Sequence, residues 1–338
     1  MVAKKSVKIE PGQNVTQQQI ADLVGCSQNT VALALRQSTR ISEKMRKRVL
    51  EVADSLAYRP NLAARGLRAG RSGLVGVFTG TLDYVRQRYI QHILTGLDET
   101  RFKPIVGQDQ LSHAPWYNAP WIDTFLELRV EALISFAWHD TAKVPQWHKQ
   151  VPVIFSGFDP EPDVPCDQVS MDRRDAAIMA TKYLIEQGHR RITMVTPYLP
   201  PLQVAGYETT MKEAGLKPEI SLVGNKPHCH MNLNGLIKRL QRKRNRATAL
   251  FVIDSPLAAD IINATQIAGI CVPDDVAILG YDHMLWADKL AIPLTTIEQP
   301  IEDLVKQTIK VLDSRLENPA LPPQHSAVPF HIVPRASV

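Results

Sequence analysis

The sequence predicts an all-α helix-turn-helix headpiece followed by an α/β core of two doubly wound parallel-sheet subdomains. Three observations predict it. Residues 16–36, TQQQIADLVGCSQNTVALALR, carry the spacing of two short helices joined by a tight turn. From Gly73 onward, short apolar runs alternate with helical stretches. The charge divides in the same place: residues 1–71 hold 13 Lys and Arg against 5 Asp and Glu, and the remainder holds 26 against 29.

In the first part, Ile20, Ala21 and Val24 recur at helical intervals and Gly25 suits the turn. Ser27 can cap a second helix whose Val31, Ala34 and Leu35 pack back on the first. In a helix-turn-helix the second helix enters the DNA major groove. Its early outward residues, Gln28 and Asn29, are amides able to pair bidentately with adenine, while Thr16, Ser27 and Thr30 offer hydroxyls to phosphates. This is the chemistry of sequence reading rather than of catalysis. The basic excess suits an anionic polymer as partner, the bland alternative being a solvated face.

Ser42 caps a third amphipathic helix, SEKMRKRVLEVADSLAY, with Met45, Val49, Val52, Ala53 and Leu56 as its buried stripe. Lys44, Arg46, Lys47 and Arg48 crowd its start, where they serve either solubility or phosphate approach. Pro60 then breaks the helix, and Asn61 can cap a short following one that holds Leu62, Arg65, Leu67 and Arg68. Gly66 keeps that segment near the folding threshold, so that DNA or a second copy can order it.

The strands expected beyond it are GLVGVF (73–78), PIVGQ (104–108), ALISF (132–136), PVIFSG (152–157), RITMVT (191–196), ALFVI (249–253) and VAILGYD (276–282). Helices are expected over 90–101, 173–187, 206–214 and 256–268. Near-continuous apolar strands with helical crossovers indicate parallel sheets covered on both faces. Two such sheets leave a cleft, and ligands sit beyond the strands' carboxyl ends, so residues after Phe78, Phe136, Gly157, Thr196, Ile253 and Tyr281 are pocket candidates.

Several classes are disfavoured. No apolar run approaches the roughly 20 residues that span a bilayer and no signal peptide is evident, so the expected location is cytoplasmic, without a membrane partner. Cys26, Cys166, Cys229 and Cys271 include no CxxC pair. His228-Cys229-His230 reads as a polar loop rather than a metal corner, and neither a metal nor a cofactor is expected. The chain lacks GxGxxG after its opening strand, a P-loop and GxSxG, which argues against a doubly wound enzyme. A transport-type solute-binding protein would match residues 72–338, but the fused helix-turn-helix argues against it.

The order of helix-turn-helix, YRPN, LVGVF, MDRRDAAIMATKYLIEQGHRRI, PDDVAILGYD and PLTTIEQPIEDLV closely resembles the lactose-repressor (LacI/GalR) family of bacterial transcription regulators, from about Val15 to Pro334. The resemblance implies a headpiece over 1–59, a hinge over 60–72, and a periplasmic-binding-protein-like core over 73–338 with chain crossings near 168–172, 297–301 and 324–329. It also implies a homodimer on a pseudopalindromic operator within the bacterial nucleoid. The implied DNA-contact set is Thr16, Gln17, Ser27, Gln28, Asn29, Thr30, Leu33, Tyr58, Asn61, Arg65 and Leu67. By motif position Leu67 is the hinge residue that wedges into the minor groove. With no apolar heptads near its end, the chain is expected to form a dimer rather than a tetramer.

Two departures from the family pattern matter. The recognition helix usually continues into Ser-Arg, and here that pair is Ala32-Leu33; Leu33 either meets a thymine methyl or packs inside the headpiece. In the core, the usual arginine three residues before Gly206-Tyr207 is Gln203, and the usual Asn-Asp after ALFV is Ile253-Asp254. Asp282 is retained and can accept hydrogen bonds from a sugar diol. Tyr89, Phe136, Trp138 and Trp286 can stack on a sugar face or simply belong to the core. With Gln203, Asp254 and Asp282 these aromatics form the expected effector site, and the missing arginine points to a neutral sugar or polyol.

Overall fold

A computed structural model of the chain describes residues 15–59, 71–80, 84–108, 120–136, 148–158, 164–224, 232–242, 244–282 and 286–338. The chain divides into two compact units, 1–72 and 73–338. The hinge residues Asn61, Arg65 and Leu67, the aromatic Trp138 and the His228-Cys229-His230 run lie outside the described residues.

In the first unit, α1 (Gln17–Val24) starts at Thr16, whose hydroxyl accepts the Gln19 N–H while the Gln19 side-chain oxygen accepts the Thr16 N–H at 2.7 Å. Gly25 ends it at φ +75°, a left-handed conformation that costs glycine no steric clash. Ser27 caps α2 (Gln28–Leu35) and Ser42 caps α3 (Glu43–Ser55), their hydroxyls accepting the Thr30 and Met45 N–H groups at 3.1 and 3.3 Å. Ile20, Ala21, Val24, Val31, Ala34, Val49, Ala53 and Tyr58 close one core between the three helices.

The second unit holds two six-stranded sheets. The first contains β1 (Leu74–Thr79), β2 (Lys103–Gln108), β3 (Ala132–Phe136), β4 (Val153–Phe158), β5 (Asp167–Ser170) and β11 (His325–Ala327), ordered β11-β5-β4-β3-β1-β2 and parallel throughout. Between its strands in sequence run α4 (Tyr84–Asp98) and α5 (Pro120–Glu127). The second contains β6 (Ile192–Thr196), β7 (Glu219–Leu222), β8 (Ala249–Val252), β9 (Ala277–Tyr281), β10 (Thr295–Glu298) and β12 (His331–Val333), ordered β12-β10-β9-β8-β6-β7, with β12 antiparallel to β10. Its helices are α6 (Arg173–Glu186), α7 (Pro201–Glu213), α8 (Leu233–Leu240) and α9 (Ser255–Ile267). Finally α10 (Ile301–Glu317) runs back from β10 to pack on α4, β4 and β5. The chain thus passes between the sheets after β5, after β10 and after β11.

All seven expected strands form within a residue or two of their expected limits. The polar strands β5, β7, β10, β11 and β12 give no apolar run to read. Two helices start earlier than expected. Residues 84–89, YVRQRY, already belong to α4. The proline-rich approach to Gly206 is the start of α7, because Pro201 sits at a helical position whose N–H would have no intrahelical partner anyway. Close packing of α7 on α6 requires Gly206: a Cβ there would lie 2.4 Å from the Arg174 carbonyl oxygen.

Among the described residues, the most buried ion pair joins Asp167 at the start of β5 to Arg315 near the end of α10. The guanidinium donates Nε and Nη2 to the two carboxylate oxygens, each at 2.8 Å. Its remaining hydrogens reach the Pro319, Leu321 and Pro322 carbonyls at 3.0, 2.6 and 2.9 Å, and the Gln324 N–H donates to Asp167 at 2.9 Å. Hydrogen bonding to Asp167 holds the Arg315 guanidinium above its ordinary pKa. Replacing Arg315 by Ala leaves a buried carboxylate without its cation, and urea unfolding should show a loss of about 3–5 kcal/mol. An unchanged midpoint would mean that the bridge is not what ties α10 to β5.

Candidate functional site

Two surfaces carry polar side chains in arrangements that packing alone does not require. The first is the outer face of α2. Val31 and Ala34 face the core, which turns Gln28 and Asn29, in the first turn, outward and exposed. Ser27 and Thr30 share a 2.9 Å hydroxyl contact beside them. Leu33 is half-buried and is not among the residues of that apolar cluster. Tyr58 is 8% exposed and completes that cluster, so its ring serves the headpiece core. Thr16 caps α1, and the Gln17 side-chain oxygen is buried without a hydrogen-bond partner. Lys44, Lys47 and Arg48 are exposed on the first two turns of α3, with Lys47 3.7 Å from Glu43.

The second is a cleft of about 230 Å³ in the core. From the first sheet and α4 come Val85, Arg86, Tyr89, Phe136, Ser156 and Gly157. The segment leading to the second sheet supplies Met171 and Arg173, that sheet's strand ends supply Tyr198, Ile253, Tyr281, Asp282 and Gln299, and the first turn of α7 supplies Gln203. It lies where parallel sheets place ligands, at the carboxyl ends of β3, β4, β6, β8, β9 and β10.

A buried hydroxyl chain forms the floor. Ser156, 1% exposed, hydrogen-bonds the Tyr89 hydroxyl on one side and lies 2.6 Å from the Thr308 hydroxyl of α10 on the other. Burial pushes the Tyr89 phenol far above its ordinary pKa, so it remains a neutral donor. Its ring packs on Phe136 with centroids 3.6 Å apart. Beyond Ser156 the register of β4 on β5 shifts, and Gly157 adopts φ +80°. The bulge turns the Gly157 carbonyl to accept Arg173 Nη2 at 3.0 Å.

Opposite, Asp282 holds the left-handed conformation, φ +74°, uncommon for a residue with a side chain. Two groups secure it. The Ser255 hydroxyl donates to the Tyr281 carbonyl and, at 2.8 Å, to that of Asp282, and the Gln299 amide donates to the Asp282 carboxylate. Strain of this kind concentrates where a side chain must be aimed.

Of the expected pocket residues, Tyr89, Phe136, Gln203 and Asp282 line the cleft together. Two others, Asp254 and Trp286, are not among the described lining residues. Asp254 caps α9, accepting the Leu257 N–H at 2.8 Å, and the cap holds its carboxylate at the helix start. Trp286 is half-buried in the turn after Asp282. The sequence reading missed Arg86, Ser156, Arg173, Tyr198 and Gln299. Gln299 directly follows β10, a strand too polar to recognise, and Arg173 was visible only as part of the MDRRD motif. Arg86 and Arg173 bring guanidiniums to the cleft lining from α4 and from the start of α6, at places other than position 203.

Two family models match the chain: bacterial regulatory proteins of the lacI family over residues 16–61, and a periplasmic binding protein-like domain over 181–338. The HTH-type transcriptional regulator DegA of Bacillus subtilis is 27% identical, covering 84% of this chain and 86% of its own. The ribose operon repressor of Escherichia coli is 26% identical over 91% and 95%. Among solved structures, the lac repressor dimer bound to operator and the anti-inducer ONPF superposes with a TM-score of 0.79 at 21% identity, covering 96% of this chain and 99% of that one.

Replacing Ser156 by Ala should leave the buried Tyr89 hydroxyl short of a partner and lower stability by about 1–3 kcal/mol in thermal or urea unfolding. No loss would mean that the hydroxyl chain does not hold the cleft floor together.

Proposed function

The chain belongs to the lacI family of bacterial regulatory proteins, and on that premise we propose that α2 reads an operator while a small molecule in the core cleft controls the grip. It is a DNA-binding transcription repressor, not an enzyme. The observation that carries the proposal is the presence, in one chain, of an exposed amide pair on a capped second helix and a cleft with an aimed carboxylate.

Gln28 and Asn29 are the proposed base readers, and Leu33 the contact to a thymine methyl where an arginine would read guanine. Exposed basic residues at the start of α3 approach phosphates, which supply affinity without sequence information. A homodimer would present two such helices to a pseudopalindromic site, as fits the dimer on operator seen for the lac repressor relative. Leu67, in the hinge over 60–72 that the family resemblance implies, is the proposed minor-groove wedge. The proposal puts the protein in the bacterial cytoplasm, acting on the nucleoid.

The effector we propose is a sugar or related polyol. Asp282 and Gln299 offer an acceptor and an amide, Tyr89 and Phe136 an aromatic wall, and the volume suits a monosaccharide-sized molecule. Lining groups come from both sheets, so a ligand that touches them all favours one arrangement of the subdomains. Operator and effector affinities are then linked, each changing the other by the same factor. A solute-binding protein without DNA reading would need the cleft but not the exposed face of α2.

Selection of random duplexes by the full-length protein, with and without a sugar panel, tests the whole reading. A palindromic motif whose enrichment changes with one compound is the expected result, and no motif under any condition would remove the regulator reading. Gln28→Ala or Asn29→Ala should relax base preference at one or two positions, at a cost of roughly 1–3 kcal/mol. An equal loss on all sequences would reduce either residue to a phosphate contact. Asp282→Ala should abolish the effector response in a gel-shift titration while leaving operator binding intact; a variant that still responds would displace Asp282 from the site.

A further inference from the structure

The second sheet carries a charged surface at the end away from the cleft. β6, β7, β8 and β9 run parallel, so the connections that enter them lie together at their amino ends, while the cleft lies at the carboxyl ends. Among the described residues these connections, 187–191, 214–218, 241–248 and 268–276, hold six Lys and Arg against two Asp. Residues 72–338 as a whole hold more acid than base. The last two turns of the helices leading in, with Glu219 at the start of β7, hold four charges of each sign and leave the excess as it is. The Val338 carboxylate follows Ser337, which bonds to Ile278 of β9, and offsets one cation.

The connections are laced to one another. The Thr248 N–H donates to the Arg191 carbonyl at 2.8 Å, and the Thr248 hydroxyl lies 3.3 Å from His189 Nδ1. Arg246 donates to Asp275 at 2.6 Å, and the other oxygen of that carboxylate accepts the Cys271 N–H at 2.9 Å. Arg190 is positioned by donating to the Ile185 and His189 carbonyls at 2.8 and 3.1 Å. Among the described residues no carboxylate pairs with Arg190, Arg191, Arg242 or Arg244, and all four are exposed. At the same end Ile267, the last residue of α9, is 89% exposed, on the helix that packs beside α8.

We infer that this end of the core docks an acidic segment of another protein, one whose carboxylates surround an apolar side chain. Guanidinium forks match carboxylates in shape and charge, and arginines around a small apolar centre are the composition of protein interfaces. A lone exposed isoleucine carries little meaning. In company with four arginines it separates a protein partner from a nucleic acid, whose phosphates engage the cations and leave the isoleucine in water. A second copy of this chain is the wrong occupant, because a two-fold contact through this surface sets like charges against each other. A partner seated here leaves the cleft open.

The test presents the full-length protein with a displayed library of short random peptides and measures the selected ones by fluorescence anisotropy. The expected winners carry several Asp or Glu around a Leu, Ile or Phe. Their binding should weaken with added salt and fall roughly ten-fold in Arg242→Glu/Arg244→Glu and about five-fold in Ile267→Asp. Lys44→Glu/Lys47→Glu, in the headpiece, should leave it unchanged. All the substituted side chains are exposed, and an unaltered Tm shows that each variant is folded. Selection of no acidic peptide, or of peptides that respond to the headpiece pair and ignore the core variants, overturns the docking surface. If instead a duplex of arbitrary sequence loses affinity in Arg242→Glu/Arg244→Glu while Ile267→Asp leaves peptide binding unchanged, the surface is a nucleic-acid contact and the protein partner is overturned.

Discussion

The buried pair of Asp167 and Arg315 is the constraint on which the core depends. It joins β5, from which the chain first leaves the first sheet, to the end of the helix that brings the chain back. The three carbonyls that Arg315 also gathers, at Pro319, Leu321 and Pro322, lead directly into β11, which pairs with β5. Two of the three passages between the sheets are therefore organised around one guanidinium. Desolvating such a pair is costly, and only full use of the hydrogens and lone pairs offsets that cost. Here every nitrogen of the guanidinium donates.

The cleft inherits its form from this arrangement. With β5 and α10 fixed to one another, Ser156 on the neighbouring β4 meets Thr308 of α10 and Tyr89 of α4 in one buried chain. The bulge immediately after Ser156 presents Gly157 to Arg173, across the first passage between the sheets. On the opposite side Gln299, at the second passage, holds Asp282. Residues that line the cleft are thus the same residues, or near neighbours of the residues, through which the sheets are joined. Under the proposed reading, a ligand in the cleft would act on those joints directly.

The headpiece follows a simpler logic. A cluster of small and branched side chains closes three short helices, and three hydroxyl caps satisfy their leading N–H groups. Because the core is small, Val31 and Ala34 suffice to seat α2, and the polar first turn is left outside. The cap that starts α2, Ser27, also brings a hydroxyl beside Gln28 and Asn29.

By itself the sequence determined the headpiece closely, because caps, the glycine turn and helical periodicity act within a few residues of one another. It also determined the apolar strands, whose buried runs announce themselves; strand ends pointed to Tyr89, Phe136 and Asp282, and the family resemblance to Gln203, all of which line one cleft. Only the tertiary structure decided what the cleft is made of. Asp254 reads like a ligand arm but caps α9, and Asp167 reads like a surface residue but is fully buried, because a partner 148 residues away neutralises it. Arg86 and Arg173 are unremarkable in the sequence, and only the fold brings both to the lining of one volume. Periodicity records whether a residue is buried within its own element; charge pairing and convergence depend on which distant element folds against it.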